Sequence, residues 1–139
     1  MESIRSWSTK MNNNYQEDVE VFMRAAGQET VYASERGPEN FTEQAELYKN
    51  LIVEEFHETI AAFADKDIVE VADGLADMVW VIMGLASSLD IPFDKVWEEV
   101  RASNMSKVVN GKCILREDGK VMKPDTYFKP DIRKAMNLE

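Results

Sequence analysis

Two acidic patches fall where a helix ought to be greasy. The first reads Leu51-Ile-Val-Glu54-Glu55-Phe-His57-Glu58, the second Glu70-Val-Ala-Asp73-Gly74-Leu-Ala-Asp77-Met-Val-Trp80. A buried carboxylate is costly unless it is paired or holds a metal ion. Several gathered carboxylates repel, and some are pushed to protonate. Hard divalent cations remove that conflict. Magnesium prefers oxygen ligands and keeps waters and substrate phosphates in its shell. Acid patches on helices are commonly solvated faces; because these acids replace apolar positions on both helices, the patches point instead to divalent-metal chemistry on phosphates.

A helical wheel advancing about 100° per residue sorts the acids. In the first patch, Glu55 and Glu58 share a sector with Leu47, Tyr48, Leu51 and Ala62, and as an i, i+3 pair they are surface neighbours. His57 falls on the polar sector and Glu54 at the edge. In the second, Val71, Leu75, Met78, Val79, Ile82, Leu85 and Ala86 cover most of the circumference. One stripe differs: Glu70, Asp73 and Asp77, continued by Val81 and Gly84. Gly74 leaves room beside that stripe for something to approach the backbone. A helix apolar all round but for one acid stripe belongs in the interior, so the two stripes are expected to face each other.

The elements that would position them follow from the same periodicity. Val19, Phe22, Met23 and Ala26 recur at helical spacing over Tyr15–Ala26, and Gly27 stops the helix. Gln28–Asn40 has no period and reads as a loop. Thr42 caps a long helix reaching about Ala64. Asp65-Lys66-Asp67 is a short turn whose last residue caps a helix from about Ile68 to Leu89, so these two helices are antiparallel neighbours. Asp90-Ile91-Pro92 breaks the pattern, and Phe93–Asn104 forms another helix with Val96, Trp97 and Val100 inward. Asn110-Gly111 between apolar pairs predicts a hairpin, and Pro124 and Pro130 keep the remainder extended. The expectation is a single all-α domain over 1–139, a four- to five-helix bundle. It has a polar arm at 1–14 and a short β-hairpin and extended tail at 105–139.

Composition excludes several classes. Acidic residues outnumber basic ones 26 to 16, for a net charge of −10, which disfavours nucleic acid and anionic membranes as partners. Cys113 stands alone, so there is no disulfide framework and no cysteine-rich zinc site. The apolar run Ile68–Leu89 is interrupted by Glu70, Asp73 and Asp77, and no signal segment opens the chain. A cytoplasmic location is expected. Glu54-x-x-His57 is half of a di-iron signature that requires two copies, and His57 is the only histidine. A Cys–His couple would need Cys113 to reach His57. Neither a P-loop nor a dinucleotide-binding glycine turn is present.

The motif pair Glu54-Glu55-Phe-His-Glu58 and Asp73-Gly-Leu-Ala-Asp77-Met-Val-Trp80 resembles the metal motif of the all-α nucleoside triphosphate pyrophosphohydrolases. These are the MazG-like and phosphoribosyl-ATP pyrophosphohydrolase-like proteins. The resemblance runs from about Asp18 to Lys107, with a similar Asp118-Gly119-Lys120 tail. It implies a magnesium-dependent (or manganese-dependent) enzyme that cleaves (d)NTPs between the α- and β-phosphates, releasing nucleoside monophosphate and pyrophosphate, in a house-cleaning role. The alternatives are a phosphoribosyl-ATP pyrophosphohydrolase and a non-catalytic, metal-assembled nucleotide-binding bundle. The family motif is Glu-x-x-Glu followed by Glu-x-x-Asp. Glu55, Glu58 and Asp77 match it, but Gly74 stands where Glu is usual, leaving Asp73 or Glu70 to supply the missing ligand. Glu54 or Glu55 would accept the proton of the attacking water. Asn104 and Lys107 match an Asn-x-x-Lys segment and, with Arg101, are assigned to substrate phosphate or sugar. Phe22, Gln28 and Trp80 are assigned to the base. Relatives pair subunits, so a homodimer or homotetramer is implied.

Overall fold

The computed structural model describes residues 14–30 and 41–138. The expected arm, apart from Asn14, and positions 31–40 of the expected loop lie outside the described residues. Five helices are present among those residues: α1 (Tyr15–Ala25), α2 (Glu43–Ala64), α3 (Ile68–Ser88), α4 (Phe93–Met105) and α5 (Ile132–Ala135). They fall into two compact units, Met1–Asp90 and Ile91–Glu139.

In the first unit each long helix begins on a side-chain cap. Asn14 accepts from the Glu17 amide at 3.1 Å, Thr42 Oγ1 from Ala45 at 3.3 Å, and Asp67 from Glu70 at 3.2 Å. Each bond satisfies an amide that the first helical turn leaves orphaned. α1 ends where Gly27 turns left-handed (φ 74°), which lets the Gln28 amide reach back to the Met23 carbonyl at 2.9 Å. α3 packs on both α1 and α2 and is the central helix of this unit, as its nearly all-round apolar surface requires. Val19 and Met23 of α1 are fully buried, and Ala45, Tyr48 and Ala62 of α2 and Val81, Met83 and Ala86 of α3 are also buried.

Two glycines set how closely α2 and α3 approach. A Cβ on Gly84 would lie 2.1 Å from a Tyr48 ring carbon, and one on Gly74 would lie 2.2 Å from Thr59 Oγ1. The visitor for which Gly74 leaves room is therefore a buried threonine of the neighbouring helix. From Gln44 beside Ser88, through Tyr48 on Gly84, to Thr59 on Gly74, each step down α2 is matched by a step up α3. The short Asp65–Asp67 turn, with Lys66 left-handed at φ 57°, enforces this antiparallel register.

In the second unit, α5 packs on α4, the Asp131 amide at its N-cap donating to Glu99. The expected C-terminal β-hairpin does not form. Asn110 (φ 52°) and Gly111 (φ 75°) do make the tight turn, and Val109 and Lys112 exchange both backbone bonds, at 2.8 and 3.0 Å. The pairing stops there as an isolated bridge. The next ladder bonds would join Lys107 to Ile114, but the Lys107 amide is already donated to the Asn104 carbonyl of α4 at 3.1 Å, and the Ile114 carbonyl accepts from the Met122 amide at 2.8 Å. A second isolated bridge joins Leu115 to Val121 around Gly119. Two local turns replace a ladder, and no strand is present among the described residues.

Candidate metal centre

The register of α2 against α3 decides which acids meet. Glu55 lies one turn before Thr59, and Asp77 one turn after Gly74, so the close Thr59–Gly74 contact draws these carboxylates toward each other. Thr59 also ties the turn internally, its hydroxyl donating to the Glu55 carbonyl at 2.7 Å. Glu55 is half-buried, and its Oε2 is buried with no hydrogen-bond partner. Its carboxyl is pushed above the ordinary carboxylate range. Loss of water is the largest cause, followed by the negative charges of Glu58 and Asp77, with Glu54 contributing least. An unpartnered buried oxygen among like charges is costly. A divalent cation would satisfy both defects, so this donor set fits one.

The other assigned ligands are placed differently. Glu58 is exposed and Asp77 half-buried. Glu70 and Asp73 are exposed, which departs from the expectation of an interior acid stripe: the buried Gly74, packed on Thr59, takes the inward position beside them. A carboxylate at position 74 would collide with Thr59. Among the described residues, no three His, Cys, Asp or Glu side chains are gathered into a ready cage for a metal ion. Glu54 and His57 are exposed, and His57 stacks obliquely beside Phe56 with ring centres 5.7 Å apart.

Of the residues assigned to the base, Phe22 and Trp80 meet edge to face, ring centres 5.4 Å apart at 77°. Both keep about half of their surface open. Trp80 also lines an apolar groove of about 380 Å³ between α1 and α3, with Tyr15, Val19, Leu75 and Val79. Gln28 is engaged structurally, accepting from the Tyr48 hydroxyl. In the second unit, Arg101 is paired with Glu98 on the next turn of α4. Asn104 Oδ1 accepts from Lys107 Nζ at 3.1 Å. Both of these groups lie at the solvent surface.

Three residues have roles that spacing alone did not single out. Thr59 fills the gap at Gly74. Gln44 donates to Ser88 Oγ at 3.0 Å and clamps both backbone groups of Glu29. Ser88 in turn donates to the Gly84 carbonyl at 2.8 Å. The signal for the first was Gly74 itself: a glycine inside a strongly helical pattern is tolerated when something must come close.

α2 and α3 thus form an antiparallel helical hairpin with Glu55 and Asp77 on either side of its seam. The sequence model of the phosphoribosyl-ATP pyrophosphohydrolase family matches residues 19–104. That is more than half of the chain, and the chain belongs to this family and so to the MazG-like, all-α pyrophosphohydrolases. No curated protein matches the chain. No described helix is long and apolar enough to cross a membrane.

Proposed function

We propose that the protein is a magnesium-dependent nucleotide pyrophosphohydrolase, cleaving (d)NTPs between the α- and β-phosphates to a monophosphate and pyrophosphate. The observation that carries this reading is the buried, unpartnered Glu55 Oε2 set among the charges of Glu58 and Asp77. Glu55, Glu58 and Asp77 would hold the metal, with Glu70 and Asp73 as outer carboxylates. Bound there, magnesium or manganese supplies positive charge to the phosphates and makes a coordinated water more acidic. Water oxygen bonds to the α-phosphorus, the bond to the bridging oxygen breaks, and pyrophosphate leaves. Glu54 is suited to take the water proton: it is exposed and can return the proton to solvent, whereas Glu55 turns an oxygen inward. Asn104, Lys107 and Arg101 would contact phosphate or sugar. Phe22 and Trp80, beside the apolar groove, would contact the base.

The family match favours a second substrate within the same chemistry, phosphoribosyl-ATP. Incubating the protein with magnesium and a panel of dNTPs, NTPs and phosphoribosyl-ATP, then separating products, decides between them. Monophosphate with pyrophosphate is expected. Absence of turnover on every substrate, with metal-dependent assembly intact, would leave a binding bundle instead.

The functional unit is proposed to be a homodimer or homotetramer. Phe63, Ile68 and Val69, around the α2–α3 turn, are each more than two-thirds exposed, and Phe56, Ile60 and Leu75 are about half exposed. Large apolar side chains exposed in this number support a subunit interface there. Light scattering on the purified chain tests it, and a monomer at micromolar concentration would sink it.

A further inference from the structure

The C-terminal tail is latched to α4 rather than trailing from it. Ser103 Oγ donates to the Phe128 carbonyl at 2.8 Å, the Phe128 amide donates to Ser106 Oγ at 3.2 Å, and Thr126 Oγ1 donates to the Ser106 carbonyl at 3.0 Å. These bonds hold the half-buried Tyr127 where two lysines reach its ring. Lys107 Nζ lies 5.8 Å and Lys123 Nζ 5.0 Å from the centre of its ring. One aromatic face-contact of this kind holds a single cation modestly. Two cations on one ring also repel each other, and neither has a carboxylate partner among the described residues. In a chain carrying 26 acidic residues, two lysines converging without an acid between them call for an anion from outside.

We propose that Lys123 joins Lys107 to form a polyphosphate-binding site on Tyr127, with the tail supplying the second cation. Asn104, bonded to Lys107 Nζ, orients the first. The ligand class is a short, linear polyphosphate, whose adjacent charged groups a pair of ammonium ions can bridge. Lys107, Lys123 and Tyr127 all lie beyond the segment matched by the family. The assignment rests on the nucleotide reading above, whose proposed substrates carry such a polyphosphate.

The test uses the full chain with inorganic tripolyphosphate in EDTA, so that no metal bridges the probe to the acidic seam. By titration calorimetry, Lys123→Ala is expected to bind about tenfold more weakly than wild type, the scale of one charged hydrogen bond. Lys123→Arg should restore most of the affinity, and the salt dependence should flatten in the alanine variant. An unchanged melting temperature in Lys123→Ala would separate binding from a mere staple for the tail. Equal affinity in wild type and Lys123→Ala, or no binding by wild type, overturns the proposal. The nucleotide panel reports separately. Binding through Lys123 without turnover would sink the enzymatic reading alone, whereas turnover with an unchanged KM in Lys123→Ala would sink this one alone.

Discussion

The seam between α2 and α3 has two stretches built from the same two helices and opposite in chemistry. Toward Gln44 and Ser88, the polar groups of the seam are satisfied. Tyr48 donates to Gln28, Gln44 to Ser88 and the Glu29 backbone, and Ser88 to Gly84. Toward the turn, Glu55, Glu58 and Asp77 repel one another and Glu55 keeps a buried oxygen without a partner. Carboxylates under such stress would separate if the helices could slide. They are held because the Tyr48–Gly84 and Thr59–Gly74 contacts fix the register on either side of them. If the proposed function holds, fold stability and chemistry are segregated along one helical interface, and variants should fall into two kinds.

The largest effects belong to the acidic stretch. Glu58→Gln and Asp77→Asn each keep the shape of the side chain and remove its charge. Each is expected to lower turnover at least about a thousandfold, roughly 4 kcal/mol in barrier, with a normal thermal melt. Near-wild-type rates in both would dissolve the proposed metal cluster. The satisfied stretch should behave in the reverse way. Gly84→Val places a branched side chain into the Tyr48 ring and should cost about 3 kcal/mol of stability or more, read by urea unfolding. A loss below about 1 kcal/mol would mean that this end does not hold the register.

Much of this seam was legible in the sequence, and the reason is periodic. The caps at Thr42 and Asp67, the turn at Lys66 and the near-continuous apolar surface of α3 all write their structure into nearest neighbours or into a period of 3.6. Glu55 and Asp77 are half-buried as that period places them, whereas Glu58 and Asp73, which the wheel also turns inward, are exposed. Contacts across the seam were not legible. Gly74 looked like a missing ligand because the pattern shows what a residue lacks and not what occupies the space. Thr59 is one polar residue among many until the register aligns it with Gly74. The hairpin expected at Asn110-Gly111 failed for a related reason: the turn is local, but continuing the ladder needed the Lys107 amide, which the Asn104 carbonyl of α4 had already taken.

Gly74 supplies the next test. Gly74→Ala puts a methyl group 2.2 Å from Thr59 Oγ1 and 3.1 Å from its Cβ, so Thr59 must give way and release the Glu55 carbonyl. A loss of about 1–2 kcal/mol is expected. Thr59→Ala should relieve part of it, giving a favourable coupling energy in a double-mutant cycle. Strict additivity would show that the two residues do not share the contact.

The smallest effect is also the one that joins the two kinds of variant. Burial and the charges of Glu58 and Asp77 raise the Glu55 carboxyl above its ordinary value in the folded, metal-free chain. At low pH both folded and unfolded states carry the proton, and Glu55 costs nothing. As pH rises through the ordinary carboxylate value of 4.5, the unfolded chain ionises first. Stability then falls until pH passes the raised folded value, and the penalty stays constant above it. Glu55→Gln removes the charge, so in EDTA at neutral pH it should melt a few degrees above wild type, with the gain vanishing below pH 4.5. Saturating magnesium should reverse the order, because only the wild-type carboxylate gains the stabilisation of a bound cation. A variant less stable than wild type in EDTA at neutral pH would show that Glu55 is not under the electrostatic stress that its surroundings imply.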